Sequence, residues 1–125
     1  MKSSIVKGKS YAFALRTIAL ARWLKAQKEF EIAGQILRSG TAIGSNVEEA
    51  LAGVSRADFI AKMSIASKEA RETHYWLRLL RDSKIVPESK ITLLENESLE
   101  LIRILTAIVK TSQTASANSK LRIKN

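Results

Sequence analysis

Four long helices lying side by side, an all-α antiparallel bundle, is the fold that three observations predict. The 125-residue chain has one Pro and five Gly, too few breakers for a loop-rich β-sandwich. Apolar residues recur with a 3.6-residue period from about residue 5 to residue 112. The pattern lapses at three short places, and connections of about two to six residues make consecutive helices antiparallel neighbours. The order is therefore up-down-up-down. At 13.9 kDa the chain has room for one domain, read here as a bundle over 1–112 and a flexible basic C-terminal tail over 113–125.

The first helix is expected to start between Ser4 and Ser10, with Gly8 in that interval, and to end near Ala26. The second begins at Glu29 or Phe30 and stops at Gly53, a residue that tolerates positive φ. Its apolar stripe is Ile32, Ile36, Gly40, Ile43, Val47, Leu51 and Val54. The third opens with Ser55, whose hydroxyl takes an orphan backbone N–H, while Asp58 three residues on favours the positive end of the helix. It runs to about Ser83 on a stripe of Phe59, Met63, Ala66, Ala70, Thr73, Leu77 and Leu80. Pro87 suits the first turn of the fourth, where its missing N–H costs nothing, and that helix ends near Ser112. The remainder, SQTASANSKLRIKN, is small, polar and basic, the composition of a mobile segment.

A solitary bundle needs one apolar stripe per helix. The third helix has a second set, Ile65, Trp76 and Leu79, with Glu69 and Glu72 among them, and the first has Tyr11, Leu15 and Ile18 opposite Phe13, Leu20 and Leu24. Contiguous exposed apolar surface marks interfaces, so self-association is expected. Trp76 is the costliest to leave wet, since an aromatic side chain buries about 150–250 Å². The run RSGTAIGSN places Gly40 and Gly44 four apart, on one helix face where another backbone can approach closely. A loop or break is the competing reading; the periodicity continuing through Ile36, Ile43, Val47 and Leu51 favours an unbroken helix. Arg38 either pairs its planar fork with Glu72 or Glu69, across helices or subunits, or sits on a solvated charged face.

Charge is segregated. The net +9 resolves into +7 over residues 1–28 (seven bases, no acid), −3 over 29–100 (nine bases, twelve acids) and +5 over 101–125 (five bases, no acid). A basic face attracts the phosphates of RNA or DNA. The candidate contacts are Lys9, Arg16, Arg22, Lys25 and Lys28 on the first helix, with Lys120, Arg122 and Lys124 as a flexible arm. Solvated lysines that merely keep the protein soluble are the ordinary alternative.

Catalytic chemistry finds no foothold. The chain has no cysteine, hence no disulfide, thiol nucleophile or thiolate metal site. A di-iron bundle needs two Glu-x-x-His pairs; the lone His74 has Arg71 three residues before it. No cofactor or metal is expected, and the protein reads as a non-enzyme. No run approaches the roughly 18–20 apolar residues of a membrane span and no signal-peptide pattern opens the chain, so a cytoplasmic protein without a membrane partner is expected.

The stretches QILRSGTAIGSNVEEA (Gln35 to Ala50) and SRADFIAKMSIASKEARETHYWLRLL (Ser55 to Leu80), with KSYAFALR (Lys9 to Arg16), resemble the bacterial four-helix-bundle proteins related to the 23S rRNA intervening-sequence protein. The likeness covers about residues 5 to 112. It is strongest at Arg38, Ser39, Gly40, Ile43, Gly44 and Asn46, and again at Asp58, Phe59, Ile65, Ala66, Glu69, Glu72, Tyr75, Trp76 and Leu77. The family often has Ser where Ala42 stands and Ala where Ser45 stands, swaps that keep the side chains small. The resemblance implies a left-handed antiparallel bundle assembled as a homopentameric ring or barrel. It also implies a basic accessory protein without a catalytic site, since similar proteins accompany the reverse transcriptases of diversity-generating retroelements and contact nucleic acid and their partner enzyme. The expected function is thus a homo-oligomeric nucleic-acid-binding accessory protein with little sequence readout. The alternative is a structural or adaptor oligomer that binds another protein.

Overall fold

The computed structural model describes the backbone of residues 2–124 and the side chains of residues 3–121. Four α-helices account for nearly all of it: α1 Lys2–Ala26, α2 Phe30–Ala52, α3 Arg56–Asp82 and α4 Glu88–Lys124. Each packs on its chain neighbours, and α4 closes the circle against α1; diagonal pairs stay apart. This is the up-down-up-down bundle. Among the described residues no helix is long and apolar enough to cross a membrane.

The core is a column of aliphatic side chains pinned by Phe13, Leu24, Ile36, Ile43, Met63, Leu77, Leu80, Ile91, Leu101 and Leu105, all essentially sealed from water. The predicted stripe of α3 lies in it from Met63 to Leu80, with Phe59 half-buried at its margin. The stripe of α2 is buried from Ile36 to Val47, but Leu51 emerges and Val54 stands fully in solvent in the α2–α3 connection.

Helix ends follow local chemistry. Ser55 caps α3 by accepting from the Asp58 N–H at 3.0 Å, as the Ser-x-x-Asp spacing predicts. Gly53 ends α2 with φ −66°, extended rather than left-handed; a Cβ there would crowd the Asp58 carboxylate and lie 3.1 Å from the Ala50 carbonyl. The left-handed positions are instead Lys28 (φ 67°) and Lys84 (φ 64°), one residue past the caps of α1 and α3. At the end of α1 the Glu29 N–H reaches the Leu24 carbonyl and the Lys28 N–H the Lys25 carbonyl, the paired bonds of a Schellman motif, both 2.9 Å.

Two boundaries differ from expectation. α1 begins at Lys2 and runs straight through Gly8, whose missing Cβ would face open space. α4 continues to Lys124, past the end expected near Ser112, so residues 113–124 are helical; Asn125 lies outside the described residues. Nothing between Ser112 and Lys124 is Gly or Pro, and Ser112, Ala115 and Ser116 remain half-buried, so the helix has no cause to stop where its apolar stripe thins. At 1.5 Å per residue its 37 residues span about 55 Å, against about 35–40 Å for the others.

Candidate assembly and nucleic-acid surfaces

The bundle's two seams along α1 are built differently, and the candidate residues divide between them. On the α2 side, a Cβ at Gly40 would fall within 3.0 Å of three side-chain atoms of Thr17, and one at Gly44 would be 3.4 Å from the Ser10 carbonyl. The two glycines therefore let α1 settle onto α2 with no intervening side chain. The residues they meet are buried hydroxyls satisfied within their own helix: Thr17 donates to the Phe13 carbonyl at 2.9 Å and Ser10 to Lys7 at 3.2 Å. Polar atoms that face inward in this way cost little, because none is orphaned.

On the α4 side the helices stand farther apart and long side chains bridge them. Lys9 meets Glu100 and Arg16 meets Glu97, each at 3.0 Å. Two of the five predicted phosphate contacts on α1 thus have carboxylate partners within the subunit, which charge counting along the chain cannot supply. Arg22, Lys25 and Lys28 are exposed and have no carboxylate within ion-pair distance among the described residues. Arg22 and Lys25 occupy the last turn and a half of α1 and Lys28 lies one residue past its cap, at the end of the bundle where α3 also finishes and α4 begins. Lys84 and Lys90, exposed at that same end, join them; the sequence places them in an acid-rich stretch, which is why they escape a segment-by-segment count. Lys120 is exposed on the distal part of α4, at the opposite end. The side chains of Arg122 and Lys124 lie outside the described residues.

Two half-buried carboxylates of α4 register the cost of its seams, Glu97 toward α1 and Glu95 toward α3. Glu97 has one oxygen on Arg16 and the other, Oε1, buried without a partner; burial pushes its carboxyl above the usual value of 4.5, with Arg16 pulling the other way. Glu95 is similarly placed, with Oε2 held at 2.7 Å by Arg81 and Oε1 buried and unpaired. His74, half-buried on α3, is held below its usual value by burial first and by Arg78 next, with Glu95 opposing. Among the described residues no three His, Asp or Glu side chains converge as a metal site would require.

The candidate assembly residues cluster on the outer face of α2 and α3. Arg38 donates to both acids, to Glu69 at 3.1 Å and to Glu72, so the two readings of its partner resolve as one fork within the subunit. Glu72 Oε2 also accepts the Trp76 indole N–H at 3.1 Å. Trp76 is half-buried, its body against the core and Tyr75 edge-on at 5.5 Å, so it is not the wet tryptophan that the helical wheel suggests. Ile65 and Leu79 on the same stripe are exposed by 40% and 39%, and on α1 Tyr11 and Leu15 by 61% and 54%. Of the apolar residues predicted to lie outside the core stripes, these four are ones that a lone subunit leaves exposed. Beneath them Thr73 donates to Ser39 Oγ at 2.8 Å, a buried hydroxyl pair that locks α3 to α2.

Fold and site together define an all-α four-helix bundle protein. Its sequence matches the 23S rRNA-intervening sequence protein family over residues 2–107, and the chain belongs to that family. A crystal structure of a protein of unknown function from the S23 ribosomal protein family of Bacteroides thetaiotaomicron VPI-5482 is similar to it at 47% identity, with a TM-score of 0.84. The match covers 88% of this chain and 99% of that one. No curated protein matches the chain.

Proposed function

We propose that the protein is a non-enzymatic homo-oligomer, a pentamer in the reading taken from its family resemblance, that binds RNA or DNA as an accessory protein with little sequence specificity. The observation that carries this is the unpaired basic end of the bundle: Arg22, Lys25, Lys28, Lys84 and Lys90, in a chain of net charge +9. Assembly concentrates it, since five copies carry five times +9, or +45. Contacts of this kind work by releasing counterions, so they read phosphate and not sequence.

The test is a salt titration of binding to a labelled 30-nucleotide RNA and to a duplex DNA. Engagement of Arg22, Lys25 and Lys28 alone gives a slope in log K against log salt of about −2.7 on duplex, at roughly −0.9 per phosphate. A flat titration, or no binding at low salt, ends the proposal. Light scattering gives the assembly: five times 13.9 kDa is 69.5 kDa, and a particle of 13.9 kDa rejects it.

The exposed Tyr11, Leu15, Ile65 and Leu79 favour a second reading, an adaptor oligomer whose ligand is another protein. Partners retained from a nuclease-treated extract separate that reading from the first.

A further inference from the structure

The α1–α4 seam contains a cavity of about 230 Å³ that phosphate binding alone leaves unused. Arg16 and Trp23 from α1 and Ser89, Lys90, Leu93 and Leu94 from α4 wall it. Pockets for drug-sized ligands run to about 300–1,000 Å³, so this one admits a single flat ring system and not a whole cofactor. Trp23 is half-buried with one side packed on the core, and Leu93, which lines the same opening, is exposed by 57%. The Lys90 ammonium stands 5.4 Å from the Trp23 ring centroid and has no carboxylate partner among the described residues. A half-buried aromatic ring, an exposed aliphatic neighbour and a cation without a carboxylate partner among the described residues thus share one small opening.

We infer that this cavity is a stacking site for an unpaired base of single-stranded nucleic acid. The inference rests on the proposed nucleic-acid binding and names the form of nucleic acid that it selects. A base from a single strand offers a bare π-face and stacks on Trp23 whatever its identity. Its flanking phosphates take Lys90 and the guanidinium donors of Arg16 that Glu97 does not occupy. Lys90 loses little by leaving the ring, because a cation–π contact at an exposed site is weak. Duplex bases are already paired and stacked inside the helix and have nothing to insert, so a duplex is held by charge alone.

The chain has two tryptophans, Trp23 and Trp76, so Trp76→Phe leaves Trp23 as the only indole reporter. In the full-length variant at low salt, 20-nucleotide oligo-U and oligo-dT quench Trp23 emission saturably, and added salt restores it. The two strands behave alike if the base face is what is read. A 20-base-pair duplex binds by anisotropy yet quenches little. Trp23→Leu, checked for its helical melt, weakens single-strand binding about ten-fold and leaves duplex binding near wild type. Lys90→Gln, a surface change that leaves the core intact, weakens it about five-fold.

Single-strand binding with unchanged Trp23 emission overturns the inference. So does equal quenching by duplex, or a Trp23 already shielded from acrylamide before any ligand is added, which would mean that another subunit covers the seam. In each of those cases the broader nucleic-acid reading survives. Absence of binding to every oligonucleotide removes both.

Discussion

The two seams of α1 show how one helix serves two purposes. Toward α2 it meets glycine, and the helices touch through Thr17 on Gly40 and Ser10 on Gly44. Toward α4 it is held off by Lys9–Glu100 and Arg16–Glu97, with space left around Trp23. The first seam is fixed by shape and leaves no room for anything else. The second is fixed by exposed ion pairs, each worth about 0–1 kcal/mol, and stays accessible. The contrast teaches that close packing and open space sit on opposite sides of the same helix.

The sharpest way to break that contrast is to add volume at the closed seam. Gly40→Val is expected to cost about 3 kcal/mol, because the new side chain collides with a β-branched, buried Thr17. Combining it with Thr17→Ala is expected to recover at least about 1 kcal/mol in a double-mutant cycle followed by urea unfolding. Equal and additive costs would show that the seam relaxes freely. A step smaller, Thr73→Val keeps the shape of the α2–α3 contact and removes the hydroxyl that Ser39 accepts, for an expected loss of about 1 kcal/mol.

The smallest effect belongs to the open seam and appears as a pH slope. Glu97 has a folded pKa above its unfolded value, so the native state binds that proton more tightly. Stability contributed by this group therefore falls as pH rises from about 4.5 through the folded value, and is level above it. In Glu97→Gln the fall disappears, which urea midpoints measured between pH 4 and 7 would show. His74 slopes oppositely, since its folded pKa lies below 6.5 and stability rises as pH climbs toward that value. The two contributions are separated by comparing variant with wild type rather than by the wild-type curve alone.

Much of this architecture is written in local pattern. The stripe from Met63 to Leu80, the Ser55–Asp58 cap and the unbroken helix through Gly40 and Gly44 each depend on neighbours within a turn or two, and periodicity reads such neighbours directly. What escapes is set by partners far away in the chain. Lys9 and Arg16 look like free cations until the fold brings Glu100 and Glu97 from the far end of the sequence beside them. Trp23 falls on the helix face shared by Arg16 and Ala19, a visible spacing, but only the opening against α4 makes that face a cavity. The helix beyond Ser112 is missed for another reason: Ser, Thr and Asn are weak helix formers, and an established helix extends into them more readily than they would nucleate one.

Lys28 and Lys84 hold a backbone shape in which glycine would rest more easily, and both do so where a helix delivers its negative end. Glycine at these two corners would give a sturdier bundle with two fewer ammonium groups at one pole. The chain keeps the lysines and tolerates the strain, and its reserve of stability is correspondingly smaller at the pole that carries its unpaired charge.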